Sequence, residues 1–187
     1  MRITVKTGII SAGIWILIKL SFFYLDISRD SIVPLILLNI LGLLVSIAIG
    51  LFLQKMRDTE ETNLILDVKN GMTAGLPYTI IVSVFIYFYY SKINPEYYAH
   101  QIAEKEIAIE KMVNNPVELK KFKAEQKEAE VMTKEAIEKK LKENNRNNIA
   151  VNPGITAVFS VLSLLLLTIF YSFLVTIIYR QVIFKQR

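Results

Sequence analysis

The 187-residue chain contains no cysteine. That absence excludes disulfides, thiolate catalysis and cysteine-ligated zinc or iron–sulfur centres. Histidine occurs once, at His100, in a stretch of alternating charge where it reads as a surface side chain rather than a ligand. The glycine loop that cradles phosphate, the His-Glu-x-x-His pair and the nucleophile elbow are all missing. Carboxylates are plentiful over residues 94–152, but they alternate with lysines and show no pairing suited to acid–base work. No catalytic residue, cofactor or metal ligand emerges, and the expectation is a protein that is not an enzyme. The formal charge of +5 reads as basic residues flanking membrane spans, so nucleic acid is not an expected partner.

What the chain has is apolar length. It is 53% hydrophobic with a mean hydropathy of +0.40. The apolar residues are gathered into four blocks, each near the ~20 residues that span a bilayer core. The partner this implies first is the lipid bilayer. The blocks run over about residues 5–25, 32–53, 71–91 and 155–179. The first has a basic start at Arg2 and Lys6, but it is long, Lys19 interrupts it, and it ends in Phe22-Phe23-Tyr24. It therefore reads as a retained span and not as a cleaved signal.

Small residues recur at helix-packing positions. Gly42, Ser46 and Gly50 follow one another every four residues along the second block, and Gly71 and Gly75 repeat the spacing in the third. With Gly8 and Ala12 in the first block, they are expected to let helix backbones approach closely in lipid. Pro34 falls in the first turn of the second span, and Pro77 about a turn inside the third, where a kink is expected rather than a break. Residues 54–70 read either as a loop or, over Leu64 to Val68, as a short interfacial helix ended by Asn70-Gly71.

Residues 94–152 form the one sizeable polar region. Asn94-Pro95-Glu96 and Asn115-Pro116 followed by Glu118 read as helix starts, with asparagine as cap and proline in the first turn. A helix to about Asn114 carries a thin apolar stripe of Ile102, Ile109 and Val113. The next carries Leu119, Phe122 and Ala129, and a third, from Thr133 to about Asn144, carries Ile137 and Leu141. The run Asn144–Asn148 reads as a loop. With so few large apolar residues, the segment should lean on itself, the membrane surface or a partner.

Four spans place both termini on one side with the 54–70 segment. That side carries Arg2, Lys6, Lys55, Arg57, Lys69, Arg180, Lys185 and Arg187, against Arg29 alone in the short opposite loop. The positive-inside rule then puts both termini in the cytoplasm and residues 94–152 in the periplasm. The fold class expected is an all-α integral membrane four-helix bundle, spans one to three in residues 1–93. A helical extracytoplasmic insertion then lies between helices three and four, and residues 153–187 hold the fourth span and a basic tail.

The glycine-rich entry to the third span, followed by Tyr87-Phe88-Tyr89-Tyr90-Ser91-Lys92-Ile93-Asn94-Pro95-Glu96-Tyr97, resembles a family of small membrane proteins from Bacteroidota. It is the family catalogued as domain of unknown function 4199. The resemblance covers most of the chain and implies a bacterial inner membrane and a four-helix architecture. It implies no catalytic residues and no activity.

Two functional readings follow. In the first, the chain is a structural or accessory protein whose projecting helices dock an envelope partner or another copy through the Ile102–Ile109–Val113 stripe. In the second, it is a small carrier or a binder of lipid or anionic ligands. Lys19 lies six residues before Leu25 and Asn39 seven after Ile32, each ~10 Å into the outer half at 1.5 Å per residue. Tyr87 can reach the same level, and the three form a candidate polar intramembrane site. The bland alternative has Lys19 snorkelling towards Asp26 or Asp30 and Asn39 bonding a neighbouring helix.

Overall fold

The computed structural model describes residues 2–27, 33–57, 63–126, 131–147 and 152–183. Expectations that fall on Arg29, Asp30, Ile32, Ala129, Asn148, Lys185 and Arg187 lie outside the described residues. Among the described residues, seven α-helices are found: α1 (Ile3–Tyr24), α2 (Val33–Arg57), α3 (Leu64–Phe88), α4 (Glu96–Asn114), α5 (Pro116–Glu125), α6 (Lys134–Arg146) and α7 (Pro153–Ile178). Single π-turns extend α3 over Tyr89–Ile93 and α7 over Tyr179–Ile183. Four helices (α1, α2, and α3 and α7 with their π-turns) are long and apolar enough to cross a membrane. The all-α architecture with four spans and a helical insertion between the third and fourth is therefore the observed one. The chain divides into two compact units, residues 1–86 with 157–187, and residues 87–156.

In the first unit α3 is the hub. It buries ten residues along its length, from Asp67 to Ile86, against six on α1 and five on α7. Each of the other spans meets it through a small residue or a hydroxyl. A Cβ added at Gly8 of α1 would lie 2.3 Å from the backbone oxygen of Ala74. One added at Gly50 of α2 would lie 2.7 Å from the Ala74 Cβ and 2.7 Å from the Thr7 hydroxyl. On the α7 side, a Cβ added at Gly71 would lie 3.0 Å from the Ser172 Cβ, and one added at Gly75 would lie 2.5 Å from the Thr168 methyl. Ala12 and Ser46 are fully buried in the same interior. Gly42 differs: a Cβ added there would lie 2.7 Å from the Tyr78 hydroxyl, so this glycine admits a side chain and not a helix backbone. The large aliphatics Ile10, Leu17, Leu37, Leu41, Ile80 and Leu166 point outward. Such an inversion, small and polar inside and bulky apolar outside, is what lipid as solvent asks for.

The third span starts earlier than its hydropathy indicates. The Asn63 side chain accepts the Leu66 amide at 2.8 Å, capping a helix that runs unbroken through Asn70, Gly71 and Pro77. Among the described residues of 54–70, residues 54–57 belong to α2 and residues 64–70 to α3, so neither a loop over those residues nor a separate interfacial helix ending at Asn70-Gly71 is found. The reason is tertiary: Asp67 and Asn70 are buried, and Gly71 is held against α7, so the helix has partners on the polar turn before the apolar run.

The second unit is a small helical assembly around its own core. Val113 and Ile137 are its buried centre, with Ile109, Met112, Leu119, Phe122, Met132 and Leu141 packed on them. Asn115 caps α5 by accepting the Val117 amide at 3.1 Å and donating to Glu118 at 3.1 Å, and Thr133 caps α6 through the Ala136 amide. Asn94 does not cap α4: its side chain bonds Tyr89, and no side chain caps the helix. Nor do Asn145 and Arg146 lie in a loop. Both belong to α6, where Asn145 donates to the Ile102 carbonyl at 3.1 Å and Arg146 grips both oxygens of Glu106 at 2.7 and 3.3 Å.

Candidate functional site

Three neighbourhoods bring polar chemistry together. The first surrounds Lys19. Thr4, Gly8, Ala12, Trp15 and Lys19 share the buried face of α1, and Lys19 is only 3% exposed. Its ammonium sits 5.9 Å from the centroid of the Trp15 ring, within cation–π range. Trp15 in turn packs at right angles to Phe85 on α3, centroids 6.1 Å apart and planes at 88°.

The other two members of the sequence-predicted trio have neighbours of their own. Asn39 is engaged with α3: the Tyr78 hydroxyl lies 2.8 Å from its side-chain oxygen and 3.0 Å from its carbonyl. A tyrosine buried in an apolar span needs such an acceptor. Asn39 thus serves α2–α3 packing. Tyr87 is exposed, pairs edge-on with Phe88 at 5.7 Å and belongs to the second unit.

The second neighbourhood is an ion cluster that hydropathy does not reveal. Asp67 is fully buried, with Lys55 Nζ at 2.9 Å and Arg180 Nε at 2.7 Å from the same carboxylate oxygen. The carboxylate lies in the first turn of α3, and Lys55 in the last turn of α2. Each charge therefore also complements the dipole of its own helix. The cluster joins the ends of three spans, and Tyr179 adds a hydrogen bond to the Ala48 carbonyl at 2.9 Å.

The residues 6–183 match the family described as Protein of unknown function (DUF4199). The chain belongs to that family. No curated protein and no solved structure matches it.

The third neighbourhood of this DUF4199 protein is the tyrosine cluster in the second unit. Tyr90 is packed against Tyr89, Tyr97 and Tyr98, with ring centroids 4.9–5.3 Å away. Tyr98 shares a 2.6 Å hydrogen bond with Thr156, tying the start of α4 to the first turn of α7. Burial raises the Tyr98 and Tyr97 phenols above their ordinary value, and Tyr97 is raised further by Tyr98 and Glu104. These rings pack together at the start of α4, and the Tyr97 and Tyr98 phenols stay protonated at physiological pH.

The expected docking stripe has a different neighbour from the one foreseen. Ile109 and Val113 pack against Ile137 and Leu141 of α6, and the Ile102 carbonyl is taken by Asn145. The chain thus covers the Ile109–Val113 part of its own stripe. Glu106–Arg146 and Glu110–Lys142 close the flanks, with Glu138 also on Lys142. Arg146 holds Glu106 below the ordinary carboxylate value, and the two carboxylates raise Lys142. Among the described residues, no group of three or more His, Asp or Glu is placed to hold a metal.

Proposed function

We propose that this DUF4199 protein is a non-enzymatic accessory protein of the bacterial inner membrane that presents a pre-folded helical arm to a protein partner in the envelope. Both termini lie in the cytoplasm and the arm, residues 94–152, in the periplasm. One observation carries the reading: the insertion is a compact unit with its own buried core and ion-paired flanks. A mere connection between two spans needs no such core, since loops of a few residues suffice.

Charge supports the orientation. Residues 94–152 carry eleven acidic and eleven basic side chains, so the whole excess of +5 belongs to the rest of the chain. A neutral arm also disfavours electrostatic capture of nucleic acid or anionic lipid by the arm itself. Because the Ile109–Val113 stripe is covered by α6, docking falls to apolar residues outside that core, Ile107 at 52% and Val117 at 76% exposed.

In-cell photo-crosslinking tests this. A photoreactive residue at Ile107 should give a discrete protein adduct, and one at the covered Ile109 should give little. Equal yields at the two positions, or no adduct at either Ile107 or Val117, would refute docking through this face. An adduct of twice the chain mass would assign the partner as a second copy.

A further inference from the structure

We draw no further inference here: the strongest candidate, the open groove of charged side chains along α6 from Glu135 to Arg146, is lined by one face of that helix, its Lys142 and Arg146 are already held by Glu110 and Glu106, and nothing in the structure shows what covers it.

Discussion

Alanine at Gly8 and alanine at Gly13 are the same chemical change on the same helix, and the structure assigns them opposite signs. A Cβ at Gly8 would lie 2.3 Å from the Ala74 carbonyl oxygen, 3.3 Å from its carbon and 3.3 Å from the Pro77 Cβ. The obstacle is backbone, so no rotamer relieves it, and α1 must move about 1 Å away from α3 to reach ordinary contact. Overpacking of this kind costs ~1–3 kcal/mol. The better helix propensity of alanine returns up to ~1 kcal/mol. At Gly13 nothing lies within 4 Å of the added carbon, so only the propensity gain remains. Thermal unfolding in mild detergent should place Gly8→Ala below wild type and Gly13→Ala level with it or above. For a chain of this size ~1.5 kcal/mol corresponds to about 3–6 °C. Equal midpoints for the two variants would refute the close α1–α3 contact.

Further substitutions probe the remaining neighbourhoods. Asp67→Asn leaves Lys55 and Arg180 facing a neutral amide and should cost ~3 kcal/mol, the scale for breaking a buried ion pair; in a thermal-melt cycle with Arg180→Gln, strictly additive losses would deny the cluster. Tyr78→Phe strands the Asn39 oxygen at a buried helix contact and should lower the midpoint by ~1–2 kcal/mol without changing overall helicity by circular dichroism. The arm should loosen in acid. Glu106 has its folded value below the ordinary 4.5, so its stabilisation is complete above that value and is lost as pH falls through the depressed one. Amide protection factors in α6, corrected for the intrinsic exchange rate at each pH, should therefore fall below about pH 4, whereas pH-independent protection would count against the Glu106–Arg146 clasp. Orientation is testable without background because the chain has no cysteine: an impermeant maleimide should label Lys121→Cys in intact spheroplasts and Lys69→Cys only after lysis.

The four spans were legible because their signal is additive: about twenty consecutive apolar residues need no knowledge of neighbours. What failed depended on partners far away in sequence. Asp67 and Lys69 made the entry to α3 look like a loop, and the residue that internalises Asp67 is Arg180, 113 positions on. A cap signal was present, since Asn63 precedes the apolar Leu64-Ile65-Leu66. Its side chain does accept the Leu66 amide. At the other end of the polar region, Asn144–Asn148 has the composition of a turn. A contact with Glu106, forty residues back, outweighs that propensity and carries α6 through Arg146. The Ile109–Val113 stripe is legible as an apolar face. Its cover was also visible in Ile137 and Leu141, four apart on the third polar helix, but periodicity says that a face is apolar and not what lies on it.

Depth arithmetic alone leaves the neighbours of Lys19 and Asn39 open for a related reason. Rise per residue places two side chains at one height on adjacent helices; it does not say which way either helix is rotated. Rotation is set by the packing stripe, and on α1 that stripe is Thr4, Gly8, Ala12 and Trp15, four residues that fix the azimuth of Lys19 as inward. On α2 it includes Gly42, which makes room for Tyr78 and so turns Asn39 towards α3. The same small residues that let the spans approach therefore decide which polar groups meet. Lys19 is matched with Trp15 one turn below it, and Asn39 with Tyr78, because α3 lies between the demands of α1 and those of α2.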